Sequence, residues 1–234
     1  MQDRYAIYYA PETGSELDLF GKLWLGRNTE SDIRFEQPQV RGFDKHELLS
    51  MTSSPRHYGF HGTLVPPFRL SANTSKDFLF EHARQLATRL SSFDIHGLML
   101  KKIGRFIALV PTHQEEIAKL ASTCVRSFHP LRKQPSLLEL ERRRSKGLTP
   151  RQDQLLVRWG YPYVMEEFRF HMTLSNAIPN SDKLQKLVDG LTSLCAPFSN
   201  ANHPVRELCI FHQQDENSPF QLIDRIPFQR ETGE

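Results

Sequence analysis

The sequence predicts an α+β protein with a duplicated, two-lobed fold, in which antiparallel sheets face a central cleft and helices lie outside. The main observation is a five-residue motif that occurs twice, as Phe-His-Gly-Thr-Leu at residues 60–64 and Phe-His-Met-Thr-Leu at residues 170–174. Each copy precedes a helical stripe of apolar residues and then two strand-like segments. A chain of 234 residues, 38% hydrophobic and 24% charged, is large enough to bury such a core.

The first half of the chain is predicted to begin with a strand and a helix. Bulky residues favour a strand over positions 5–10, and apolar residues then recur at helical spacing over 15–25, with Ser15 as N-cap. The first motif strand is predicted over residues 56–65, ending at Pro66. The remaining predicted elements of this half are a helix over 75–91, strands over 94–101 and 105–110, and a helix over 114–128.

The second half repeats the order of motif strand, helix and two strands. Its predicted elements are a short helix within residues 132–146, a helix that starts at Thr149-Pro150, the motif strand over 167–176, a helix over 181–195, and strands over 205–213 and 219–227. We expect one bilobal domain over residues 1–234, with lobes carrying residues 50–112 and 160–230 and an exchange of terminal strands between them.

The motif repeat also predicts a site. Because side chains alternate between the faces of a strand, His61 and Thr63 should share one face, and so should His171 and Thr173. The flanking Phe and Leu of each copy should face the core. A lone histidine in a strand is more often structural than catalytic, but two matching copies favour two imidazoles around one pocket, suited to acid–base chemistry on a phosphate.

Charge and cysteine content narrow the class of protein. Residues 126–158 contain nine Lys or Arg and three acidic residues, whereas the remainder is net negative. Such a segment favours an anionic partner, although a solvated helix face is an equal alternative. The three cysteines lack disulfide or zinc spacing, and the sequence has no apolar run typical of a membrane span or signal peptide. These features predict a cytoplasmic protein without membrane association, and the remaining histidines show no metal-ligand spacing.

The two motifs in a duplicated α+β chain resemble the two-histidine (2H) phosphoesterases. Three stretches, residues 56–70, 159–164 and 168–174, are similar to the branch of that superfamily encoded in bacterial phosphonate-utilisation operons. The resemblance implies a metal-independent cyclic phosphodiesterase without a cofactor, acting on a small phosphorylated substrate. For this branch, the implied reaction opens 5-phosphoribosyl 1,2-cyclic phosphate to ribose 1,5-bisphosphate during phosphonate catabolism.

Carried over to matching positions, the resemblance implies that His61 and His171 are the acid–base pair. Thr63 and Thr173 would then bind the non-bridging phosphate oxygens. Histidine, with an unperturbed pKa of about 6.5, can donate or accept a proton near neutral pH. Arg169 precedes His171 by two residues and is therefore predicted to contact the phosphate from the same face.

Four further residues are predicted to lie at the substrate rim: Tyr161, Tyr163, Arg56 and Arg132. For Arg56 a structural role is as plausible, and for the two tyrosines so is packing within their loop. Two alternative functions stay open. One is the processing of RNA 2′,3′-cyclic phosphates, with nucleic acid as the second-choice partner, and the other is a non-catalytic module that binds phosphoesters.

Overall fold

In a computed structural model of the chain, residues 3–229 are described, and the ends of the predicted domain, residues 1 and 234, lie outside them. The described residues form eight α-helices and nine β-strands. In chain order these are β1 (Arg4–Tyr9), α1 (Glu16–Leu25), α2 (Lys45–Met51), α3 (Ser53–Tyr58), β2 (Gly62–Phe68), α4 (Lys76–Ala87), β3 (Phe93–His96), β4 (Leu98–Ile103), β5 (Phe106–Pro111), α5 (Glu115–Phe128), α6 (Leu137–Arg144), α7 (Pro150–Trp159), β6 (Met172–Thr173), α8 (Ser181–Cys195), β7 (Asn202–Val205), β8 (Glu207–Gln213) and β9 (Gln221–Pro227).

The strands confirm the α+β class, and every strand pair is antiparallel. Seven of them form one sheet in the order β4-β5-β6-β2-β1-β8-β9, while β3 and β7 form a separate pair. Strands from both halves of the chain therefore lie in this one sheet. The two motif strands, β2 and β6, hydrogen-bond to each other within a single sheet, because Gly62 pairs with Met172.

The central strand β1 is buried on both faces, which accounts for its almost uninterrupted apolar sequence. Tyr5, Ile7 and Tyr9 face the main core. Ala6 and Tyr8 face a second, smaller cluster, to which Phe211 and Phe220 belong. We call this second side of the sheet the Tyr8 face, and His61 lies against Tyr8 on it.

Helix ends follow their local capping residues closely. Ser15 accepts a hydrogen bond from the Asp18 N–H at the start of α1. Thr149 caps α7 through a capping box with Gln152, and Pro150 occupies the first helical position. The predicted bounds of α8 match the structure at both ends. Helices α2 and α3 were not predicted.

Both motif strands differ from their predicted bounds. Residues 53–58 form α3 rather than the start of a strand, and β2 runs through the two prolines to Phe68. The register of β1 against β2 shifts near these prolines, an irregularity that accommodates residues without an N–H donor. The second motif strand covers only Met172 and Thr173, because the Phe170 N–H donates to the Gln114 side chain instead of a neighbouring strand.

Three free cysteines are buried, and burial raises the thiol pKa of each. Within residues 3–229, no helix combines the length and apolarity that a membrane crossing requires.

Candidate active site

The four motif side chains meet where β2 pairs with β6. The antiparallel pairing of Gly62 with Met172 places His61 opposite Thr173 and Thr63 opposite His171. Side chains at these alternate positions project from one face of the sheet, so each histidine lies diagonally across from the other. Diagonal neighbours in an antiparallel pair are about 7–8 Å apart, which leaves room for a phosphate between the two rings.

The two histidines have the same local orientation. The Nδ1 of His61 lies 2.9 Å from the carbonyl of Gly59, and the Nδ1 of His171 lies 2.8 Å from the carbonyl of Arg169. A carbonyl only accepts, so each Nδ1 carries the proton and each Nε2 is left to face the site. The Nε2 of His61 is also 3.2 Å from the Thr63 hydroxyl.

The opposite side of each motif is buried, as the alternation predicts. Phe60, Leu64, Phe170 and Leu174 are at most 7% exposed. A Cβ at Gly62 would lie 2.3 Å from the ring of Phe170, which explains why the first copy has glycine where the second has methionine. The phenylalanine of one motif thus packs beneath the strand of the other.

The environment of His61 lowers its basicity. Its ring stacks on the buried ring of Tyr8, with centroids 3.7 Å apart and planes 19° from parallel. The pKa of His61 is lowered to about 4, mainly by desolvation; the Gly59 carbonyl opposes this shift, and the charge of His171 adds to it in smaller measure. His61 is therefore neutral at physiological pH.

An aromatic wall continues from Tyr8. Burial raises the pKa of Tyr8, with smaller contributions from the nearby Tyr58 and Tyr161. Tyr161 meets Tyr163 edge to face at 5.8 Å, and Tyr163 is 44% exposed. The predicted rim tyrosines thus lie beside one another. Of the two, Tyr161 is nearer to Tyr8, the ring on which His61 stacks.

Two predicted arginines are held by backbone carbonyls. The Nη1 of Arg169 donates to the carbonyls of Glu166 and Phe168, at 2.9 and 2.6 Å, and residue 169 precedes the short strand. Arg56 lies on α3, where its Nε donates to the Leu25 carbonyl at 2.8 Å. Arg56 thus lies within α3, where the first motif strand was predicted to begin, and Arg169 lies before the two-residue strand β6.

Arg56 instead lines a cavity of about 770 Å³ whose walls include neither motif histidine. Its Nη2 donates to the Thr52 hydroxyl at 2.7 Å, which makes its contacts within the described residues those of a structural side chain. This placement agrees with the structural alternative for Arg56 rather than with the substrate rim.

A second cavity, of about 670 Å³, lies where β2 ends and is lined by Arg132. The Arg132 guanidinium lies over the Phe68 ring and its Nη1 donates to the Trp159 carbonyl at 3.1 Å. The same cavity is lined by Arg4 and Arg143, two residues that were not predicted from the sequence as substrate contacts. Arg143 had no distinguishing signal, because it lies in a run of three arginines typical of a solvated helix.

Residues 3–229 contain no group of three or more His, Cys, Asp or Glu side chains placed to hold a metal ion. The chemistry that the geometry itself supports is proton transfer by two imidazoles whose Nε2 atoms face one site, with two hydroxyls beside them.

Comparisons with known proteins identify a family and two curated relatives of this chain. Residues 63–221 match the family described as "Protein of unknown function (DUF1045)". A protein from Janthinobacterium sp. (strain Marseille), named ribose 1,5-bisphosphate phosphokinase PhnN, is 34% identical over 231 residues, covering 96% of this chain and 51% of that protein. Its namesake from Laribacter hongkongensis (strain HLHK9) is 30% identical over 221 residues, covering 94% of this chain and 50% of that protein.

The chain thus spans about half the length of the curated relatives that it matches. A solved structure described as "Crystal structure of phosphoesterase" aligns with 98% of this chain, at 12% identity and a TM-score of 0.43. That likeness is too weak to argue for a shared fold or activity.

Proposed function

This chain belongs to the DUF1045 family, and we propose that it is a cyclic phosphodiesterase in which His61 and His171 act as an acid–base pair. The observation that carries the proposal is the pairing of the two motifs on adjacent strands, with both Nδ1 atoms bound to carbonyls. Both Nε2 atoms are then available to one substrate, which is the arrangement that acid–base catalysis requires.

The environments of the histidines support an assignment of roles. His61, whose pKa is lowered to about 4, is neutral at physiological pH and accepts a proton from the attacking water. The water oxygen bonds to phosphorus, the ring P–O bond breaks, and His171, acting as an imidazolium, donates its Nε2 proton to the departing alkoxide. Thr63 and Thr173 donate hydrogen bonds to the non-bridging oxygens, which gain charge in the transition state. The product is a phosphate monoester with one new hydroxyl.

The relatives' name supports a sugar substrate. A ribose 1,5-bisphosphate phosphokinase consumes ribose 1,5-bisphosphate, and opening 5-phosphoribosyl 1,2-cyclic phosphate at its C2 oxygen yields that compound. If the relatives perform both ring opening and phosphorylation on one polypeptide, that would account for their being about twice as long as the matched region. We therefore assign 5-phosphoribosyl 1,2-cyclic phosphate as the substrate, with a role in phosphonate metabolism.

The kinase activity in that name is better ascribed to the part of the relatives that this chain does not match. A nucleotide-binding P-loop needs Gly-Lys followed by Ser or Thr, between a strand and a helix. The sequence contains one Gly-Lys pair, at Gly21, and Leu23 follows it inside α1. A Cβ at Gly21 would collide with Phe60, so this glycine serves close packing.

Phosphorus NMR of the purified protein with EDTA and 5-phosphoribosyl 1,2-cyclic phosphate tests the proposal. We expect ring opening by the wild type and a loss of roughly 10²–10⁴-fold in kcat for His61→Ala and for His171→Ala, because each removes one proton-transfer group. Circular dichroism checks that both variants fold.

Three results would contradict parts of the proposal. Activity that EDTA abolishes would refute metal independence. Faster opening of 2′,3′-cyclic nucleotides or RNA ends would move the assignment to RNA processing. Binding of the cyclic phosphate without turnover would identify a binding module.

A further inference from the structure

The cavity lined by Arg132 is strongly cationic, and we call it the basic cavity. It lies between the end of β2, the segment 132–136 and helix α6. This segment is hydrogen-bonded to the residue that follows β2, because the Lys133 N–H donates to the Arg69 carbonyl at 2.8 Å. Its charged lining consists of Arg4, Arg69, Arg132, Lys133, Arg142, Arg143, Glu139 and Glu216.

Both acidic residues of the basic cavity pair with the same cation. Arg69 lies 3.0 Å from Glu216 and 3.6 Å from Glu139. Within residues 3–229, the other five cations of the lining make no ion pair. The cavity therefore has a large excess of positive charge, which favours an anionic ligand.

Arg143 and Arg132 are the most constrained of these cations. The Nε of Arg143 is buried and has no hydrogen-bond partner among the described residues, while its guanidinium lies 5.0 Å from the Tyr161 ring centroid. A buried donor without a partner is costly, and an anionic acceptor beside it would remove that cost. Burial, and then repulsion from Arg143, lowers the pKa of Arg132 to about 10. Two neighbouring guanidinium groups thus line the same cavity.

The basic cavity adjoins the Tyr8 face through aromatic side chains. Arg4 lies on the same side of β1 as Tyr8, four residues away, and contacts the Phe220 ring at 5.5 Å. Phe220 stacks on Tyr58 at 5.2 Å, and Tyr8 stacks on His61. A chain of packed aromatic rings therefore links the basic cavity to His61.

We infer that the basic cavity, through Arg143 and Arg132, binds a second phosphate of the substrate, a monoester on the sugar that also carries the cyclic phosphate. This inference rests on the proposed function and defines its substrate class as doubly phosphorylated sugars. An arginine fork matches the oxygens of a phosphate monoester, and the two guanidinium groups repel each other less once a dianion lies between them.

The matched variants are Arg143→Gln and Arg144→Gln. Helix α6 buries no residue, so neither change removes core packing. Arg144 is a suitable control because it is exposed and pairs with Asp153 at 2.6 Å, outside the cavity lining. The substrates are 5-phosphoribosyl 1,2-cyclic phosphate and the same compound without its 5-phosphate.

For Arg143→Gln we expect the ratio of kcat/KM between the two substrates to fall about 10- to 100-fold, mainly through KM, since hydrogen bonds between charged groups are lost. Arg144→Gln should leave the ratio unchanged. An equal loss on both substrates, or no loss, would overturn the inference.

A binding measurement separates this inference from the catalytic proposal. Isothermal titration calorimetry with ribose 5-phosphate, which has no cyclic phosphate, should show binding to the wild type and to Arg144→Gln and weaker binding to Arg143→Gln. That outcome would support the site even if no ring opening occurs. Absence of binding to the wild type, or equal binding to all three proteins, would refute it.

Discussion

At the residue scale, the two motif histidines have one backbone geometry and two environments. His61 stacks on Tyr8, whereas His171 lies near Phe106, with ring centroids 5.8 Å apart. The stack and the burial keep His61 neutral, and the carbonyl of Gly59 fixes its tautomer. The sequence repeat is thus symmetric, but the roles proposed for the two rings are not.

The pH profile of kcat/KM tests this asymmetry. If His61 is the base, protonation inactivates it, and its pKa lies at about 4 rather than near 6.5. We expect activity to persist from neutral pH down to about pH 5 and to fall only as the pH approaches 4. An acidic limb at pH 6.5 or above would contradict the assignment of His61.

Tyr8→Leu and Tyr8→Phe serve as variants for the same profile. Leucine removes the stack and admits water, so the acidic limb should move upward toward 6.5, while phenylalanine should leave it unchanged. If Tyr8 had only a structural role, its replacement by leucine would lower activity without changing the pH at which the acidic limb of the kcat/KM profile falls. Since the folded-state pKa of His61 lies below its unfolded value, its contribution to stability is lost as the pH falls from about 6.5 to about 4.

At the element scale, β2 and β6 are joined by the close packing of Phe170 beneath Gly62. Only two residues of β6 pair with neighbouring strands, so this contact helps to hold the second motif in register.

Helices were easier to predict than these strands, because capping residues such as Ser15 and Thr149 act locally. The strand bounds depended on partners distant in sequence, and the prediction over residues 56–65 missed helix α3.

Gly62→Ala tests the contact between the motif strands. The new Cβ would lie 2.3 Å from the Phe170 ring, and we expect a loss of about 1–3 kcal/mol in the free energy of unfolding, measured with urea. Phe170→Leu in the same chain should relieve part of that loss, so the two changes should be non-additive. Additive losses would argue that the strands are held together elsewhere.

At the scale of the whole molecule, one continuous sheet carries both the motif pair and the strand that leads to the basic cavity. β1 holds Tyr8 beside His61 and Arg4 beside the cavity, so one rigid strand sets the spacing of the two proposed phosphate sites. The sequence places an excess of positive charge in residues 126–158, and the structure shows which of those side chains are solvated. Arg144 pairs with Asp153, whereas Arg143 is turned onto Tyr161.

Ionic strength tests this arrangement of charge. Because the basic cavity attracts anions, raising NaCl from about 0.05 M to about 0.5 M should lower kcat/KM for the doubly phosphorylated substrate more than for the singly phosphorylated one. Potassium chloride at matched ionic strength controls for a specific ion effect. Equal salt dependence for both substrates would argue against long-range attraction by the cavity.

The sequence by itself determined the α+β class, the capped helices and the shared face of His and Thr in each motif. These follow from helical spacing, capping chemistry and strand alternation, which act over a few residues. Only the tertiary structure decided that the motif strands are neighbours in one sheet, that Tyr8 stacks on His61, and that Arg143 and Arg132 converge. Strand partners and the convergence of side chains depend on contacts between residues far apart in the chain, and a local pattern does not encode them.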